Sequence, residues 1–252
     1  MDADAGARAR TDAASGTGGS EAAATASPPD AADGLIAILR GVEPREAVAV
    51  ARAIVGAGIR RIEVPLNSPD ALASIEAMAD DAGEGVAIGA GTVLTREEAR
   101  DVSIAGGSFV VSPNTDAGVI ELTRELGMGS YPGAFTASEC FAAIAAGCTA
   151  LKLFPASVMG PSGVAALRAV LPPGMGLFGV GGIAPDDFAA YARAGCDGFG
   201  LGSSLYRPGW SAAETGGAAR LSVEAARAAF SRSGRVDGAG GRAGAGGGGH
   251  AA

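Results

Sequence analysis

The sequence predicts a single (β/α)8 TIM barrel, on three observations. Eight short apolar runs recur at intervals of roughly twenty-odd residues. Between them lie stretches with helical spacing and helical start signals. Most of the runs are apolar throughout, as in strands of a parallel sheet covered on both faces. The alternative, a doubly wound open sheet, normally carries a Gly-rich dinucleotide turn after its first strand, and LRGVEP offers no GxGxxG.

The expected strands, in order, are LIAIL (35–39), RIEVP (61–65), VAIGA (86–90), FVVSP (109–113), GSYPG (129–133), ALKLF (150–154), LFGVG (177–181) and GFGLG (198–202). Glu43-Pro44 opens a helix carrying Val48, Ala51, Ile54 and Val55, and Ser68-Pro69 opens another with Leu72, Ile75 and Met78. Thr95 stands three residues before Glu98, the spacing of a capping box. The same start signals recur at Thr115, Thr136, Pro161 and Pro185. Gly58, Gly106, Gly127, Gly147 and Gly195 suit the left-handed position that closes a helix before the next strand.

The barrel is expected over 34–232, about 200 residues rich in Val, Ile, Leu and Ala and enough for one sizeable core. Residues 1–33 show no apolar periodicity, and 233–252 are Gly-rich, so both are expected to be disordered extensions. The N-terminal arm lacks the apolar core of a signal peptide, and no window approaches a membrane span. A net charge of −8 without a basic stripe argues against nucleic acid or an anionic membrane as a partner. Three cysteines without a CxxC pair read as reduced thiols of a cytoplasmic protein. The one histidine, His250, lies in the tail, so the folded part offers no His-based metal site, triad or general base.

In a barrel, site residues sit at the C-terminal ends of strands. That rule selects Arg40, Glu63 with Asn67, Thr92, Pro113-Asn114, Pro132, Lys152 with Phe154, Val180 with Gly181 and Gly182, and Gly202 with Ser203 and Ser204. Lys152 is the only lysine among 252 residues. Strand alternation puts Leu151 and Leu153 on one face and Lys152 on the other. With the leucines under the helices, Lys152 points into the barrel, where desolvation lowers its pKa and frees the amine. Such an amine forms an imine with a ketone. The competing reading is a lysine that snorkels outward or pairs with a helix.

With no folded histidine, proton transfer falls to a carboxylate, and Glu63 in IEVPLNSP is the one placed in a strand-end motif. The competing reading is a packing ion pair with Lys152 or Arg40. GVGGIAPDD and LGSS put glycines at adjacent strand ends, where backbone N–H groups favour a phosphate. Arg40 suits a phosphate or a carboxylate, Thr92 offers a hydroxyl, and Phe154 reads more readily as core than as ligand wall.

LIAILRG, IEVPLNSP, IGAGTVL, SPN, YPGAFTASE, ALKLFPAS, GVGGI and GLGSSLY occur in order over 34–210. This set resembles the 2-keto-3-deoxy-phosphosugar acid aldolases. The resemblance implies a class I mechanism with no metal or cofactor, Lys152 as the Schiff-base lysine and Glu63 as general acid and base. Arg40 and Thr92 would orient the pyruvate-derived end; Pro132, Phe154 and Val180 would touch the substrate; Gly181, Gly182, Gly202 and Ser203 would bind its phosphate. Pyruvate and glyceraldehyde 3-phosphate would be the products and a homotrimer the assembly. Asn67-Ser68 after the Glu63 motif, and Val180 before Gly181-Gly182, resemble the galactonate branch and not the gluconate branch. A phosphosugar isomerase or epimerase barrel would share the phosphate turns without needing an imine, and a non-catalytic sensor would bind ligand without releasing pyruvate.

Overall fold

A computed structural model describes residues 31–232. The expected terminal extensions lie mostly outside those residues, as does His250. The described residues open on a short 3-10 turn, Ala31–Gly34, three residues ahead of the expected boundary, with Ala32 buried.

Nine parallel strands form one sheet that closes on itself. They are β1 (Leu35–Ile38), β2 (Arg61–Pro65), β3 (Ala87–Gly91), β4 (Phe109–Val111), β5 (Gly129–Tyr131), β6 (Gly133–Ala134), β7 (Ala150–Leu153), β8 (Gly176–Val180) and β9 (Gly198–Leu201). Their spatial order is β5-β4-β3-β2-β1-β9-β8-β7-β6. The two ends of that order are neighbours in sequence, separated only by Pro132. The expected fifth strand is thus two segments, because Pro132 has no N–H for the ladder. Its carbonyl still serves the seam: Lys152 N–H donates to Pro132 O at 2.9 Å, and Thr149 N–H to Ser130 O at 2.8 Å.

Eight helices surround the strands: α1 (Pro44–Gly56), α2 (Ala71–Asp81), α3 (Arg96–Ile104), α4 (Ala117–Glu125), α5 (Ala137–Ala145), α6 (Ala156–Arg168), α7 (Phe188–Ala194) and α8 (Ala212–Arg232). The capping boxes at Thr95 and Thr136 form as the spacing predicts. Three start signals are displaced. Helix α2 begins at Ala71, after Asp70, and not at Ser68-Pro69. Asp116, not Thr115, caps α4 by accepting from Val119 N–H, while the Thr115 hydroxyl donates to Gly133 O. Helix α6 begins at Ala156 and kinks at Gly160, so Pro161 restarts a helix already under way. All five glycines expected to end helices have positive φ.

Strand alternation sorts the apolar residues into two layers. Leu35, Ala37, Leu151 and Leu153 join the core between strands and helices, whereas Ile36, Ile38, Ala150 and Phe178 belong to a second cluster inside the barrel. Lys152, two residues beyond Ala150, therefore shares the interior face. Large and small residues alternate across that interior, which lets a narrow barrel fill. A Cβ on Gly89 would lie 2.6 Å from the Phe109 ring, and one on Gly198 would lie 2.4 Å from the Phe178 ring. Phe109, Tyr131 and Phe178 meet edge to face and floor the barrel beneath the lysine.

Candidate active site

The C-terminal ends of the strands enclose a cavity of about 450 Å³. Arg40, Glu63, Thr92, Lys152, Phe154, Val180, Gly181, Gly182, Gly202 and Ser203 all line it. Of the residues selected from sequence, Asn67, Asn114 and Pro132 do not. Pro132 is buried in the strand seam and accepts there from Lys152 N–H through its carbonyl.

Glu63 and Lys152 are the two charged side chains buried in the described residues, 2% and 8% exposed. Each arrives by strand alternation, Glu63 from β2 opposite Ile38 and Gly89, Lys152 from β7 opposite Gly133 and Phe178. Burial is the dominant influence on both. It pushes the Glu63 carboxyl up to about 7, against the opposing pull of Lys152 and Arg40. It pushes the Lys152 ammonium down, with Glu63 opposing and Arg40 assisting. Neither residue enters any of the three ion pairs among the described residues, Arg45–Glu43, Arg52–Asp81 and Arg168–Asp197. Glu63 Oε2 is buried with no hydrogen-bond partner. The pair is electrostatically coupled yet unlocked, which leaves both groups available to a third molecule.

Gly91, not selected from sequence, makes room for this carboxylate. A Cβ there would stand 2.6 Å from Glu63 Oε2 and 2.8 Å from its Cδ. From the text alone IGAGT looks like ordinary small-residue packing; the contact is made only when β2 and β3 pair.

Arg40 donates to the Asn67 side-chain oxygen and reaches Thr92 Oγ1 at 3.5 Å. Thr92 holds φ 57, a left-handed conformation uncommon for a β-branched residue, and it sets the hydroxyl on the cavity wall. Phe154 is a wall and not core: it is 36% exposed, and its ring centroid lies 4.9 Å from Lys152 Nζ.

The opposite side of the cavity is built from backbone. Gly181 and Gly182 follow one another with φ 92 and 71, and a Cβ on Gly182 would meet Ser157 Oγ at 2.4 Å. Beyond β9, Leu205 and Tyr206 N–H groups both donate to Gly202 O. The result is a helical turn whose first N–H groups, on Ser203 and Ser204, have no partner within the turn itself. Ser204 of LGSS lines the cavity as well, and sequence reading passed over Tyr206 and Arg207, which line it from the loop after β9. They lie past the strand end, beyond the reach of a rule that looks only there.

A parallel barrel with a desolvated amine and carboxylate at its open end defines a class of lyases that act on carbonyl substrates. The chain belongs to the KDPG and KHG aldolase family, whose model matches residues 32–215. It is 51% identical over 180 residues to a protein of Rhizobium meliloti (strain 1021) named probable 2-dehydro-3-deoxy-6-phosphogalactonate aldolase, covering 71% of this chain and 85% of that one. It is 46% identical over 195 residues to the 2-dehydro-3-deoxy-6-phosphogalactonate aldolase of Escherichia coli (strain K12), covering 77% and 95%. A solved structure described as native KDPGal superposes with a TM-score of 0.77 at 45% identity, covering 78% of this chain and 96% of that one.

Proposed function

We propose that this aldolase cleaves 2-dehydro-3-deoxy-6-phosphogalactonate to pyruvate and glyceraldehyde 3-phosphate through an imine on Lys152. The observation that carries the reading is the chain's only lysine, buried at a strand end beside an unpartnered, buried Glu63. The names of the two relatives support the galactonate epimer over the gluconate one, as do Asn67 against Arg40 and Val180 on the cavity wall.

The neutral Lys152 amine adds to the C2 ketone, and loss of water gives a protonated imine. Glu63, ionised, takes the proton from the C4 hydroxyl. The C3–C4 bond breaks, its electron pair passes into a C2–C3 double bond, and the aldehyde leaves. The remaining enamine takes back a proton at C3, and water releases pyruvate and the free amine. No atom is left over, and the electron sink is the imine itself. A carboxyl at about 7 is matched to giving and taking a proton near neutral pH. Arg40, Thr92 and Phe154 orient the carboxylate end, and Gly181, Gly182, Gly202 and Ser203 hold the phosphate.

The assembly proposed is a homotrimer. Leu94 and Phe135, on loops after β3 and β6, and Phe141 and Val158, on α5 and α6, are large apolar side chains left 42–72% exposed and support association; sedimentation velocity tests it. A cytoplasmic location is supported by the reduced thiols of Cys140 and Cys148. No helix among the described residues is long and apolar enough to cross a membrane.

The decisive experiment is pyruvate release measured on both C4 epimers, with borohydride added to trap pyruvate on the protein. Faster cleavage of the galactonate epimer and an adduct on Lys152 are expected. Equal release of pyruvate by Lys152→Ala sinks the imine.

A further inference from the structure

We propose that Arg207, on the loop after β9, reads the substrate's phosphate, and that the Arg207–Trp210 turn exists to hold its guanidinium at the cavity mouth. This rests on the phosphorylated sugar acid being the substrate and assigns a further residue to that site.

Arg207-Pro208-Gly209-Trp210 carries the signature of a type II turn, with Pro at its second position and Gly at its third. Trp210 N–H donates to Arg207 O at 3.0 Å, and Gly209 takes φ 89. Closing the turn brings the indole back beneath the arginine, with the guanidinium carbon 5.3 Å from the ring centroid, within cation–π range. Arg207 Nε–H donates to Ser203 O at 2.9 Å. One edge of the guanidinium is thus used to fix it on the Gly202–Ser203 segment, and its two terminal NH2 groups are left for a ligand.

The turn is itself anchored. Gly41 packs so closely on Pro208 that a Cβ there would lie 2.8 Å from the ring's Cγ. On the same loop, Tyr206 O–H donates to Glu46 Oε1 at 2.8 Å. A side chain restrained in this way loses little freedom on binding. Arg207 lines the same cavity as Gly181, Gly182 and Ser203 and takes part in none of the ion pairs among the described residues. Beside it Ser204 Oγ, also on the cavity, is buried with no hydrogen-bond partner. Small-residue turns with backbone N–H groups, an unpartnered hydroxyl and a planar guanidinium fork thus share one cavity. That donor set fits a doubly charged phosphate better than a neutral hydroxyl. Arg40, the other arginine on the cavity, is turned instead toward Asn67 and Thr92.

The test compares kcat/KM for the phosphorylated substrate and for its dephosphorylated form in the parent, Arg207→Ala and Arg207→Lys, with melting curves as the folding control. Arg207→Ala should lower the phosphorylated-to-dephosphorylated ratio on the order of 10- to 100-fold, mostly through KM. Arg207→Lys should restore part of it, since the charge returns without the fork. Independently, inorganic phosphate is titrated by calorimetry and by the emission of Trp210, the chain's only tryptophan. Phosphate should shift that emission in the parent, and its affinity should fall in Arg207→Ala. An unchanged ratio, or unchanged phosphate affinity, in Arg207→Ala overturns the proposal. If the parent cleaves neither epimer the reaction assigned above fails, and the phosphate titration alone then decides for or against Arg207.

Discussion

The two sides of the cavity are made of different material. On the β2 and β7 side, Glu63 and Lys152 stand on rigid strands, nearly sealed from water. On the β8 and β9 side the lining is Gly181, Gly182, Gly202 and Ser203, small residues in turns, with Arg207 exposed beyond them. Chemistry that needs an un-ionised amine must be desolvated, because water would hold the ammonium. A phosphate needs donors that approach closely and a charge that need not be buried, since desolvating an ion pair costs several kcal/mol per ion (roughly). The two demands cannot share one kind of wall. Substitutions on the first side should therefore abolish turnover, and substitutions on the second should shift selectivity.

Lys152→Arg is the most severe. It keeps a basic group and most of the length, but the guanidinium stays protonated and cannot form an imine. Single-turnover cleavage should fall by about 10⁴-fold or more, and the melting temperature should drop because a permanent charge is forced into the barrel. Retention of even a tenth of parental activity would place the chemistry elsewhere.

Glu63→Gln comes next, with a fall in kcat of roughly 10²- to 10⁴-fold. Its effect on stability has the opposite sign. The folded carboxyl sits near 7, above its ordinary value of 4.5. The folded state therefore binds the proton more tightly than the unfolded state, and ionisation costs stability. That cost is absent below about 4.5, grows up to about 7 and is constant above it, on the order of 3 kcal/mol. Glu63→Gln should accordingly be more stable than the parent at pH 8 and equal to it at pH 4, as read by urea denaturation. In the parent, kcat/KM should fall as pH drops through about 7, where Glu63 ceases to be a base. An acid limb that persists unchanged in Glu63→Gln would assign it to another group.

Gly91→Ala tests whether position alone matters on the buried side. Its added methyl would overlap the Glu63 carboxylate, 2.6 Å from Oε2. Displacing a proton-transfer group by about an ångström costs on the order of 100-fold, so kcat should fall that far while borohydride still traps pyruvate on Lys152. Parental kcat would show that Glu63 adjusts freely.

The same contrast explains what the sequence made legible. Lys152 and Glu63 lie in apolar runs, so a period of two was enough to aim both inward. The helix-ending glycines and the boxes at Thr95 and Thr136 are local devices and were equally readable. Pro132, selected as a strand-end residue, does not line the cavity. A proline interrupts a ladder, and here it divides β5 from β6 at the seam of the barrel. Gly91 and Arg207 were passed over because their meaning is tertiary. One is defined by a side chain on a neighbouring strand, the other by a turn that folds Trp210 back on it.

The smallest effect should come from Val180, where the two sides of the cavity meet at the end of β8. Its side chain is seated against Gly200, where a Cβ would lie 2.7 Å from Val180 Cγ2, so its position is fixed and its contribution is shape. Val180→Thr replaces a methyl with a hydroxyl at nearly constant volume. A hydroxyl there can bond one configuration at C4 and not the other, worth about 1 kcal/mol, or roughly five-fold. The same hydroxyl costs a comparable amount where no partner meets it. Val180→Thr should therefore narrow the preference for the galactonate epimer by up to roughly ten-fold without losing total turnover. Unchanged epimer ratios would move the discrimination to Asn67 and Arg40, whose hydrogen bond spans the other wall.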